Sequence, residues 1–145
     1  MRILTLCLAL LLPAAAQEPA WLTDLAQAKA AAVAQNKKIL ADFTGSGWCP
    51  YCVLLDKEVF STPAFPGLAR DYVLLKLDYP RMSGRTPERI AADPALKALM
   101  ALKEQYRISG FPTVLVLSGT GEELARHQGY ATGQGPAAYM ASLRK

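Results

Sequence analysis

Cys49 and Cys52 stand three residues apart in Trp48-Cys49-Pro50-Tyr51-Cys52, and Phe111-Pro112-Thr113 follows far down the chain. A proline directly after the first cysteine suits a helix start, because its missing N–H costs nothing at the first helical position. Cys49 then takes the N-cap and Cys52 comes one turn later, so both sulfurs share a face within bridging reach. The unpaired N–H groups and the positive end of the helix dipole favour a thiolate on Cys49. Such a pair can exchange disulfides without a metal or an organic cofactor, and none is expected here.

The ends of the chain narrow the setting. Arg2, the apolar run from Ile3 to Leu12 and the small residues Ala14-Ala15-Ala16 read as a signal peptide at residues 1–16. The apolar run is too short to span a bilayer. Cleavage after Ala16 leaves residues 17–145 as one domain and removes Cys7, so both remaining cysteines belong to the motif. The expected location is the periplasm or the exterior. Formal charge falls from +4 to +3 with the loss of Arg2. With no basic block and no aromatic–basic interleaving, nucleic acid is not an expected partner.

The rest of the chain alternates helices and strands. Trp21 to Gln35 reads as an amphipathic helix with Trp21, Leu22, Leu25 and Val33 on its apolar face. Lys38 to Phe43 is a buried strand, and Thr44-Gly45-Ser46-Gly47 a flexible turn into the cysteines. A helix from Cys49 to Phe60, a short turn over Gly67 to Arg70 and a strand over Tyr72 to Asp78 follow. Pro80 to Pro94 is a polar, breaker-rich loop, and Ala95 to Tyr106 a helix. Thr113 to Leu117 and Glu123 to Gln128 flank a Gly-rich hairpin turn, and a last helix spans Pro136 to Arg144. Strands joined by a crossover helix are expected parallel, and the last two antiparallel.

That order, with FTGSGWCPYC over Phe43 to Cys52, LDKEVF over Leu55 to Phe60 and GFPT over Gly110 to Thr113, resembles the thioredoxin superfamily, in particular its exported members. The resemblance implies an α/β thioredoxin-like fold. Its central mixed sheet has two parallel strands plus a C-terminal antiparallel hairpin, flanked by helices. It makes Cys49 the attacking and Cys52 the resolving cysteine of a redox-active disulfide, and Pro112 a cis-proline facing it. Asp42 matches the family's buried acid, which takes part in proton transfer from the resolving cysteine. Trp48, Pro50, Tyr51, Phe111, Pro112 and Thr113 are the implied substrate-contact residues. Val53 stands where thioredoxin itself has a lysine.

The residues alone leave a structural disulfide or half a metal site as other readings of the cysteine pair. The strand–turn–helix context and the lack of a second ligand pair favour redox chemistry. The resulting expectation is an exported, monomeric thiol–disulfide oxidoreductase acting on protein thiols and disulfides. Its redox partner is another protein, a membrane-bound donor in the favoured reductase direction. Glutaredoxin-like exchange with glutathione, suggested by Cys-Pro-Tyr-Cys, and a non-catalytic binding or metal-carrier module are the alternatives. His127 reads as a solvated strand residue, and Asp56, Lys57 and Glu58 as a solvated helix face. Arg81, Arg85 and Arg89 lie in a loop expected to overhang the cysteines, because ligands bind at the C-terminal edge of open α/β sheets.

Overall fold

The computed structural model describes residues 20–144, so the signal peptide read at residues 1–16 lies outside the described residues. The described residues begin with a two-residue strand β1 (Trp21–Leu22) and only then enter helix α1 (Leu25–Gln35). This corrects the single helix expected from Trp21. Asp24 caps the helix by accepting from the Gln27 N–H at 2.8 Å, so helical geometry starts after it. Trp21 and Leu22 instead pair in parallel with Leu74 and Leu75. The Trp21 ring packs on Phe60 and Phe65, at centroid distances of 5.1 and 6.0 Å. Val33, expected on the apolar face, is exposed; the fully buried contacts of α1 are Ala28 and Ala32, which let the helix sit close to the sheet.

Strand β2 (Lys38–Thr44) forms the middle of a five-stranded sheet ordered β1-β3-β2-β4-β5. It runs parallel to β3 (Tyr72–Asp78) and antiparallel to β4 (Thr113–Leu117), which pairs antiparallel with β5 (Glu123–Gln128). The mixed thioredoxin-like sheet is therefore present, with β1 as a further parallel strand. Side chains alternate across β2. Ile39, Ala41 and Phe43 enter a core with Ala28, Ala32, Tyr106 and Ile108. Leu40 enters the opposite core, with Leu55, Val59, Phe60, Tyr139 and Met140. Asp42 shares the parity, and so the face, of Leu40.

The helix after the cysteines changes character. It is α-helical as α2 (Pro50–Leu55) and continues as a π-helical stretch over Asp56–Phe60, which turns Val59 and Phe60 into the core. Helix α3 (Phe65–Leu68) sits slightly earlier than the turn expected at Gly67. The 80–94 segment is not wholly a loop. It holds α4 (Pro87–Ala91), started by the Thr86 hydroxyl accepting from the Arg89 N–H at 3.4 Å, with Pro87 in the first turn. Helix α5 (Pro94–Gln105) follows, capped by Asp93. The final helix α6 (Gly135–Ser142) ends two residues before the expected boundary. Because β2 and β3 are parallel, the cysteine loop and the Tyr79–Arg81 segment leave from one edge of the sheet.

Candidate active site

Cys49 is the N-cap of α2, with extended backbone, and Pro50 opens the helix. The Cys49 Sγ accepts from the Cys52 N–H at 3.3 Å, the place where a thiolate would be held. Cys49 and Cys52 form a disulfide with Cα atoms 5.2 Å apart, a separation that bridges without distorting the backbone. Cys49 is 5% and Cys52 3% exposed. Both cysteines of the bridged pair are thus buried, and exposure does not distinguish one from the other. What the site presents to solvent is its flank, Tyr51 at 56% and Val53 at 49% exposure.

The loop ahead of the cysteines is pinned rather than flexible. Ser46 donates from both its backbone N–H and its hydroxyl to the Asp78 carboxylate at the end of β3. Gly45 is required by close approach: a Cβ there would lie 2.6 Å from the Trp48 indole. That indole is fixed by donating to the Tyr79 carbonyl at 2.7 Å and meets Phe111 edge-on at 5.7 Å. Phe111 thus joins Trp48 beside the disulfide, although they are far apart in sequence. The Phe111–Pro112 peptide bond is cis. Thr113 pairs with Phe43 in register, which puts Pro112 at the sheet edge from which the cysteine loop departs. The Thr113 hydroxyl is turned back to the Gly110 carbonyl at 2.8 Å.

Asp42 is 2% exposed, on the sheet face that α2 and the π-helical stretch cover. Its Oδ1 has no hydrogen-bond partner. Burial pushes the carboxyl up to about 7; Lys76 pulls it down, while Asp56 and Asp78 add to the rise. Lys76 lies beside Asp42 in register and forms a 3.0 Å ion pair with Asp56. Asp56 is therefore not a purely solvated residue: it reaches over the sheet toward the lysine. The readable signal was Lys76 itself, a charge inside the otherwise apolar run Tyr72–Asp78. Glu58 is also engaged, accepting from the Tyr130 hydroxyl at 2.6 Å and the Gly133 N–H at 2.8 Å. Those bonds, the Gly133 one foremost, hold its carboxyl below the usual range. Lys57 is exposed, as expected.

His127 is half-buried, its ring 5.0 Å from Tyr139 and its Nδ1 3.3 Å from the Ser142 hydroxyl. Helix α6 covers it, which a strand pattern alone does not foretell. Of the three loop arginines, Arg81 reaches the site, with its guanidinium 5.9 Å from the Trp48 ring centroid. Arg85 turns back to the Arg81 carbonyl, and Arg89 belongs to α4.

Comparison with known proteins follows the same lines. The thioredoxin-like domain family matches residues 25–144. A disulfide bond reductase, DsbH of Chlamydia pneumoniae, is 29% identical over 110 residues, which is 75% of this chain and 61% of that protein. The chain thus spans about three fifths of that relative's length. A solved DsbH oxidoreductase superposes with a TM-score of 0.71 at 26% identity, covering 91% of this chain and 89% of that one. The C-terminal domain of Neisseria meningitidis DsbD in its oxidised form gives 0.56 at 21% identity, over 84% and 95% of the two chains; it speaks to the fold alone.

Proposed function

The chain belongs to the thioredoxin-like domain family, and from that premise we propose that it is an exported thiol–disulfide oxidoreductase that reduces disulfides in protein substrates. The observation that carries this reading is the Cys49–Cys52 disulfide with Cys49 at the N-cap of α2. The reductase direction is supported by the likeness to DsbH, named a disulfide bond reductase. Export is supported by the leader-like residues 1–16, which leave residues 17–145 as the working domain. It acts as a monomer, and a second redox protein, membrane-bound in this reading, returns the pair to the dithiol state.

In the reaction, the Cys49 thiolate attacks one sulfur of a substrate disulfide. The electron pair of that bond leaves on the other substrate sulfur, which takes up a proton. The Cys52 thiol then gives its proton to the Asp42 carboxylate and attacks the Cys49 sulfur. The substrate sulfur bound to Cys49 departs with the electron pair of that bond and takes the proton from Asp42, leaving a thiol, the Asp42 carboxylate and the Cys49–Cys52 bridge. Two electrons have passed to the substrate. Trp48, Tyr51 and Phe111 offer aromatic surface to the incoming chain, and Pro112 and Thr113 offer backbone at the sheet edge. A groove of about 390 Å³ between the Ser46–Trp48 loop and the Asp78–Arg81 segment continues that surface, with Arg81 as its basic margin.

The test is covalent trapping. Cys52→Ser removes the resolving thiol, so mixed disulfides through Cys49 accumulate and run as thiol-sensitive adducts with exported proteins. Cys49→Ser forms none. Equal adducts from both variants, or none from either, would contradict the assigned roles.

A further inference from the structure

Among the described residues, two buried side-chain polar atoms lack a hydrogen-bond partner: Asp42 Oδ1 and the Tyr139 hydroxyl. Buried polar atoms rarely stay unpaired, since an orphan costs the full desolvation of that group. The two lie in one layer. Asp42 on β2 is in register with Val114 on β4, and Val114 with His127 on β5, so all three project from one face. Tyr139 of α6 rests on that row, its ring 5.0 Å from His127 and also against Phe60 and Tyr130. From β5 to β2 is two strand spacings, about 10 Å. Tyr139 and Val114 belong to the same buried cluster on that face, so the tyrosine packs within the layer that holds Asp42.

We infer that one water molecule bridges the Tyr139 hydroxyl to the Asp42 carboxyl, and that the hydroxyl thereby positions the carboxyl to take the proton of Cys52. The inference rests on the reading of Asp42 as the proton acceptor given above. Electrostatics agree with the closeness. Burial pushes the Tyr139 hydroxyl above its ordinary value, and the Asp42 charge is the next cause. Such a strongly held proton makes Tyr139 a donor that does not itself titrate near neutrality. Donation favours the carboxylate, so the hydroxyl restrains the rise that burial imposes on Asp42. The other groups facing Asp42 are Lys76 and Asp78 from β3 and Asp56 from the π-helical stretch. Tyr130 and His127 flank the tyrosine on its far side. Tyr139 touches no reacting sulfur in this scheme and acts through Asp42 alone.

The experiment follows the pH dependence of the Cys52-dependent resolving step, alongside titration of the Asp42 carboxyl by carbon NMR. Tyr139→Phe keeps the ring and its aromatic contacts while removing the hydroxyl. Both midpoints then move up by about one pH unit. Site-specific 3-fluorotyrosine at position 139, with a more acidic and better donating hydroxyl, moves them down. This second variant keeps the test open if the phenylalanine variant folds poorly. Asp42→Asn is the reference that should lose the transition altogether. Midpoints unchanged in both Tyr139 variants, with the transition lost in Asp42→Asn, would overturn the role of Tyr139 and spare that of Asp42. A transition that survives in Asp42→Asn would overturn the Asp42 reading and this inference with it.

Discussion

Cys49→Ser should abolish disulfide exchange, lowering turnover on a protein disulfide by on the order of 10³ or more. Serine is nearly isosteric, so the N-cap survives: its hydroxyl accepts from the residue 52 N–H as the sulfur does at 3.3 Å. What is lost is the soft, easily ionised nucleophile. The same position makes a matching demand on the reduced wild type. The helix N-terminus favours the anionic form of the sulfur at its cap, and the sulfur of Cys52 sits inside the first turn with no such donors. Iodoacetamide at mildly acidic pH should therefore label Cys49 first, read by peptide mass mapping after brief exposure. The oxidised pair, with both sulfurs covered, cannot show this difference by exposure. Equal labelling, or labelling at Cys52 first, would contradict the assignment.

Asp42→Asn should make the oxidised protein more stable at alkaline pH while slowing the resolving step. The carboxyl sits at about 7 in the folded chain against 3.8 as the ordinary value. Between those values the native state binds a proton that the unfolded chain has released. Wild-type stability therefore falls as pH rises through that window and levels off above about 7. The loss is on the order of 3 kcal/mol, the free energy of confining a buried anion. Asparagine carries no charge, so the variant escapes the loss. Its advantage over wild type should grow by that amount between pH 4.5 and pH 8 in urea denaturation. A difference that stays flat with pH would show that Asp42 is not held as described. A residue that weakens the fold at working pH is understandable where the chemistry needs a buried base.

The sequence was most readable where its signals were local. The apolar runs at Tyr72–Asp78 and Thr113–Leu117 have no competing period, and Gly119 and Gly121 mark the turn between β4 and β5, so these strands fall where expected. The N-cap role of Cys49 follows from Pro50 alone. Legibility ended where contacts are distant. Strand β1 has two residues, too few for any period, and exists because Leu74 and Leu75 offer it an edge. Helix α4 hides in a polar stretch, and its Thr86-Pro87 start was the available signal. Asp56 reads as a solvated charge until the fold sets it 3.0 Å from Lys76. Tyr139 resembles any other apolar position of α6; only burial of its hydroxyl in the Asp42 layer sets it apart.

The central claim is that Cys49 and Cys52 form a reducing exchange pair, and their reduction potential tests it most directly. Equilibration of the purified domain against glutathione or dithiothreitol buffers, read by thiol trapping, gives the value. A reductase should lie near the thioredoxin figure of about −270 mV. A value near the strongly oxidising figure of about −120 mV would reverse the direction. A pair that fails to exchange with either buffer would contradict the catalytic reading itself.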